Sequence, residues 1–141
     1  GGGLLAGTAF AVHVWNRLHG SAVRVFAGEP TGADDAFRSL ASGQIEHNEN
    51  PQTVADGMRT ELGAINFPVI KAHVTAIHTV TDPEILHGQL LLAERLKIIV
   101  ETNCSPPFAA VLKHPEVFHN QRIGVVLSGG NLDLQAHHWG A

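Results

Sequence analysis

Ile123-Gly124-Val125-Val126-Leu127-Ser128-Gly129-Gly130-Asn131 is the stretch on which the reading of the fold turns. An apolar, β-branched run passes directly into serine, two glycines and asparagine. That pattern reads as a strand over residues 122–127 opening into a tight turn with one hydroxyl at its lip. In alternating α/β proteins, ligands gather at the carboxyl ends of strands. The same residues also suit an ordinary strand-to-helix turn, with Asn131 as cap and one helical turn over residues 131–135.

Outward from that stretch, helices and strands alternate. Residues 4–18 read as a helix with Leu4, Leu5, Phe10, Val14, Trp15 and Leu18 on a wide apolar face, stopped by His19-Gly20. Residues 23–27 read as a short strand, and Glu29-Pro30-Thr31-Gly32-Ala33-Asp34-Asp35 as the loop beyond it. A short helix over 35–41 follows, then polar loop over 44–52. Thr53 resembles a helix cap with an acid three positions on, which predicts a short helix through Glu61. Pro68 suits the first turn of another helix. Residues 77–80 read as a strand. Asp82-Pro83-Glu84 starts a long helix, with Asp82 as cap, expected to reach Val100. Pro106-Pro107 opens a further short helix through Leu112. The fold class expected is α/β: three layers, with a mostly parallel sheet flanked by helices. Three strands are few for such a sheet, which points to partner strands outside these residues.

The bulk properties narrow the function. The chain has 141 residues and a formal charge of -4, enough for one core. No basic patch marks a nucleic-acid partner, and no apolar run reaches the length of a membrane span. One cysteine, Cys104, excludes an internal disulfide and reads as a buried or bystander thiol. Ten histidines are scattered without zinc-ligand spacing; all of them, His137 and His138 included, read as surface or satisfied residues. A cytoplasmic protein is expected. The opening glycines resemble a loop cut in its middle, so the chain is expected to be the C-terminal part of a longer polypeptide.

Three places could carry chemistry. Gly1-Gly2-Gly3 precedes a helix, where outward amides can hold a phosphate; the alternative is a plain flexible end. The Ser128 hydroxyl could meet a ring nitrogen. Glu29, Asp34 and Asp35 supply the oxygen ligands that a hard cation such as Mg²⁺ or Ca²⁺ takes; the alternative is acids placed to suit a helix dipole. Glu94, Lys97 and Glu101 share one face of the expected long helix and read as surface ion pairs.

Five stretches, in order, resemble the serine racemase and threonine/serine dehydratase family: Gly1-Gly2-Gly3-Leu4-Leu5-Ala6-Gly7, Glu29 to Asp35, Thr53-Val54-Ala55-Asp56-Gly57, Glu94-Arg95-Leu96-Lys97, and Leu127-Ser128-Gly129-Gly130-Asn131-Leu132-Asp133-Leu134. These are fold-type II pyridoxal-phosphate enzymes, similar to the tryptophan synthase β subunit, and the resemblance implies the C-terminal part of their large domain. It implies that Gly1, Gly2, Gly3 and Leu4 hold the phosphate of pyridoxal 5'-phosphate. It implies that Ser128, with Gly129 and Asn131, meets the pyridine ring. A serine there leaves the ring nitrogen largely unprotonated, which suits α-proton removal and β-elimination. It further implies a cation site at Glu29, the Ala33 carbonyl and Asp35, taking Mg²⁺ (or Ca²⁺ or Mn²⁺). The activity implied is dehydration of L-serine or L-threonine, or serine racemisation, by a homodimer when full length. Two departures stand out. The family's cofactor-attaching lysine lies in a Ser-x-Lys-x-Arg stretch absent here, where Lys71, Lys97 and Lys113 are the only lysines, so no catalytic residue is assigned. The family's Glu-Pro-Ser-Gly-Ala reads Glu101-Thr102-Asn103-Cys104-Ser105 here. A chain without catalysis, or a metal-binding module, are the alternatives.

Overall fold

The computed structural model describes residues 1–135. Eight regular elements follow one another: α1 (Gly3–His19), β1 (Phe26–Pro30), α2 (Asp35–Ser42), α3 (Phe67–His73), β2 (Ala76–Val80), α4 (Asp82–Leu96), α5 (Pro106–Lys113) and α6 (Pro115–Phe118). β1 and β2 pair in parallel, Phe26 opposite Ala76 and Pro30 opposite Val80. Successive strand residues face opposite sides, so helices cover both faces. On one side Ile77 and Ala27 meet Ala6 and Ala9 of α1, Phe67 and Ile70 of α3 and Leu40 of α2. On the other, Val80 packs with Ile85 of α4 and with Ala109 and Ala110 of α5. A third cluster joins Leu92, Val100 and Cys104 to Phe108 and Leu127. Ile70 and Ile85 are fully buried, each contributing about 1.5–3 kcal/mol. The α/β class and the helix-flanked parallel sheet are as the sequence predicts.

Four boundaries differ from expectation, each for a tertiary reason. The first strand lies at Phe26–Pro30 rather than 23–27, because its partner β2 begins at Ala76 and sets the register. The helix expected from Thr53 is only a single 3₁₀ turn, Asp56–Met58. The Thr53 hydroxyl instead donates to Asp82 Oδ1 at 2.6 Å and accepts from Ala55 N–H, and its carbonyl accepts from the Arg59 guanidinium. Those partners satisfy the segment without helical bonds, and Gly57 disfavours a helix there. The cap of α4 is Thr81, not Asp82, in a reciprocal capping box with Glu84. α4 stops at Leu96, with Lys97 left-handed at φ 60°, ahead of the β-branched Ile98-Ile99-Val100. Glu101 is therefore off the helix, and no Glu94–Lys97–Glu101 ion pair forms among the described residues.

The largest difference is the segment 122–127, which forms no strand. Leu127 packs on the third cluster while Val126 is exposed. The apolar alternation is thus real, but the segment finds no ladder partner among the described residues, and a strand exists only through its ladder. The sheet accordingly has two strands among the described residues, not three. Residues 131–135 are not helical either. His137 and His138 lie outside the described residues. Among the others, the expectation of surface or satisfied histidines fails at His78, whose Nε2 is buried without a hydrogen-bond partner.

Candidate functional site

α1 begins without a cap. Its first intrahelical bond runs from Ala6 N–H to the Gly2 carbonyl at 2.9 Å, so the N–H groups of Gly3, Leu4 and Leu5 make no helical bond one turn back. No side chain caps them, and the first turn holds no acid. Gly2 is left-handed at φ 86°, and a methyl on it would stand 2.6 Å from Leu62 Cδ1, so this bend requires glycine. The turn is also anchored from afar. The Gly1 carbonyl accepts from Gly63 N–H at 3.0 Å and from Asn66 Nδ2 at 2.8 Å. A methyl on Gly1 would lie 3.0 Å from the Thr60 hydroxyl. What results is an exposed set of amides with positive partial charge on a 17-residue helix, an arrangement that attracts an anion.

Ser128 is exposed, and the residue after it is clasped. Gly129 N–H donates to Cys104 Sγ at 2.9 Å, the thiol donates back to the Gly129 carbonyl at 3.2 Å, and Glu101 N–H reaches that carbonyl at 3.1 Å. Cys104 is buried, as its reading predicts. The 3₁₀ turn Thr102–Cys104 in turn meets the other 3₁₀ turn, where Gly57 N–H donates to Asn103 Oδ1 at 3.0 Å. Two residues beyond that second turn, Thr60 lies against Gly1. Asp56, Glu101, Asn103 and Asn131 line a cleft of about 490 Å³ beside the Ser128 turn, and residues 1–4 are not part of its lining.

Glu29, Ala33 and Asp35 lie around one turn between β1 and α2. Glu29 accepts from Ala36 N–H at 3.2 Å and Phe37 N–H at 2.8 Å, and so covers the start of α2. Asp35 accepts from Asn48 Nδ2 at 2.8 Å and Leu62 N–H at 2.7 Å. Among the described residues no group of three His, Cys, Asp or Glu side chains is placed to hold a metal.

Burial raises the Glu29 carboxyl from its ordinary 4.5 to about 7; the Phe37 amide works against the rise, and Asp35 and Asp34 add to it. An acid with a raised native value holds its proton better folded than unfolded. Its stabilising contribution is therefore complete below 4.5 and is lost as pH climbs to about 7. Without divalent cations, about 3 kcal/mol of stability should disappear across that window, and Glu29→Gln should flatten the slope. Urea midpoints at pH 5 and pH 8 check this; an equal slope in the variant would contradict it.

The lysines do other work. Lys71 Nζ donates to the Gly43 carbonyl, and Lys113 Nζ to the Thr79 carbonyl and Glu84. Lys97 is exposed at the end of α4. Asn66 and Thr60, which the sequence reading did not single out, flank the glycine turn. Neither has a local pattern that marks it.

A family model described as pyridoxal-phosphate dependent enzyme matches residues 1–129. The chain is 40% identical over 140 residues to serine racemase of Dictyostelium discoideum, covering 96% of this chain and 42% of the relative. It is 38% identical over 139 residues to β-hydroxyaspartate dehydratase of Paracoccus denitrificans, covering 99% and 43%. Among solved structures, maize serine racemase superposes with a TM-score of 0.86 at 36% identity, over 95% of this chain and 42% of that one. A threonine deaminase structure superposes with a TM-score of 0.81 at 42% identity, over 94% of this chain and 47% of that one. The chain thus spans about two-fifths of the length of the curated relatives it matches.

Proposed function

The chain belongs to the family of pyridoxal-phosphate dependent enzymes, and we propose that it is the part of a threonine/serine ammonia-lyase that grips the cofactor's two ends. The enzyme would dehydrate L-serine or L-threonine to a 2-oxo acid and ammonia. On this reading the cofactor-attaching lysine belongs to a preceding segment, and the whole protein is a cytoplasmic homodimer. The uncapped start of α1 carries the proposal. Pyridoxal phosphate fits it: the N–H groups at the start of α1 have no side-chain cap, no acid competes in the first turn, and Gly2 takes a left-handed bend that a side chain would strain. Bound there, the cofactor supplies an electron sink for negative charge at the substrate's α-carbon.

The residues of this chain then bind and orient. The glycine amides hold the phosphate without a counter-charge from a side chain. The Ser128 hydroxyl meets the ring nitrogen as a neutral partner, where a carboxylate would hold a full proton on it. Gly129 and Asn131 shape the turn around that contact. Glu29, Asp35 and the Ala33 carbonyl take a divalent cation, Mg²⁺ first. The buried, proton-holding Glu29 suits this role, since a cation would supply the positive charge that its surroundings lack. No described donor reaches the Ala33 carbonyl.

Purified full-length protein supplied with pyridoxal phosphate and L-serine tests the reading. Pyruvate and ammonia are expected. D-serine as the main product would favour the racemase reading, which the Dictyostelium relative supports. Neither product from serine or threonine would overturn both.

A further inference from the structure

We infer that the Cys104 thiol is a positioning residue for the cofactor's ring end: by bonding both main-chain polar groups of Gly129, it fixes the peptide that aims Ser128. The inference rests on the reading of Ser128 as the partner of the ring nitrogen. The Gly129 N–H belongs to the planar Ser128–Gly129 peptide, so holding it at 2.9 Å from Cys104 Sγ fixes the rotation that follows the Ser128 Cα. The Gly129 carbonyl belongs to the next peptide, and it receives the thiol at 3.2 Å and Glu101 N–H at 3.1 Å. Both peptides around the most permissive residue type are thereby held.

A thiol is a weak donor and a weak acceptor. Here it is 3% exposed, so water scarcely competes for it. A methyl on Gly129 would meet only the Glu101 carboxylate, 2.6 Å from Cδ, the movable end of a side chain. The thiol's two bonds both go to backbone, and both fall on the one residue next to Ser128. Cys104 also packs with Leu92 and Val100, so its effect on the site must be separated from its effect on packing.

The experiment uses the full-length protein, with Cys104→Ala, Cys104→Ser and, as a packing control in the same cluster, Leu92→Val. Apo protein is titrated with pyridoxal phosphate and followed by visible absorbance, and iodoacetamide labelling of Cys104 is timed by peptide mass. Cys104→Ala should weaken cofactor binding about 3- to 10-fold, the size of one or two hydrogen bonds, and move the cofactor's absorption maximum. Cys104→Ser should restore most of both. Leu92→Val should lower the melting temperature and leave both unchanged. In the wild type, saturating cofactor should slow labelling about tenfold, because a ligand held by Ser128 opposes opening of the clasp. Equal cofactor affinity and spectrum in wild type and Cys104→Ala would overturn the inference while leaving the functional reading in place. Should Cys104→Ala not fold, a labelling rate indifferent to cofactor would overturn it equally. A wild type that binds no cofactor would overturn the functional reading, and the inference with it.

Discussion

Gly3→Asp is expected to leave the fold intact and to weaken capture of pyridoxal phosphate by about 100-fold or more. The two effects separate because the site is a bare helix start. Nothing crowds the position: a side chain at Gly3 would find only Asn66 Nδ2, at 3.9 Å. A carboxylate in the first turn of a helix is favourable to stability by about 0.3–1 kcal/mol. Toward a phosphate on the same amides it acts in the opposite direction. Two like charges about 4 Å apart repel by about 4 kcal/mol near a protein surface, and the carboxylate also competes for the N–H groups. Urea unfolding of the variant should match or slightly exceed the wild type, while cofactor titration should show little binding. Wild-type affinity in Gly3→Asp would mean that the phosphate is held elsewhere.

Gly28→Ala should cost about 3 kcal/mol of stability, the upper range for overpacking a core. Gly28 lies in the middle of β1, opposite His78, and α5 rests directly on its backbone. A methyl there would overlap the Pro106 carbonyl and stand 2.6 Å from Pro107 N. The neighbour is backbone at a double proline, which cannot rotate aside as a long side chain can. Either α5 lifts from the sheet or β1 shifts its register, and both loosen the cluster around Val80, Ile85 and Ala109. Thermal and urea unfolding of the variant measure the effect. A loss under about 1 kcal/mol would show that the strand and helix are not in this close contact.

Local chemistry made much of the fold legible. The α1 pattern, Pro68, the Asp82-Pro83-Glu84 start and the double proline each place a helix within a residue or two of its observed beginning. Capping and proline signals act over one turn of chain, so sequence suffices to read them. What sequence could not show was set by distant partners. Val125 and Leu127 alternate as a strand would, yet among the described residues no strand pairs with them. Thr53 resembles a cap, but Asp82 takes its hydroxyl from 29 residues away.

The candidate site divides in the same way. The glycine turn, Glu29, Asp35 and Ser128 were legible as ordered motifs. Their supports were not: Asn66 holds the Gly1 carbonyl across 65 residues, and Cys104 holds Gly129 across 25. Neither support leaves a periodicity or spacing signal, because a single hydrogen bond between remote residues imposes none on the sequence.

A crystal structure of the full-length protein with pyridoxal phosphate bears most directly on whether one cofactor is gripped at both ends. The phosphate oxygens should lie within hydrogen-bond distance of the Gly2, Gly3 and Leu4 amides, and the same molecule's ring nitrogen should face the Ser128 hydroxyl at about 2.7–3.2 Å. A phosphate bound away from the start of α1, or a ring nitrogen that Ser128 does not reach, would contradict it.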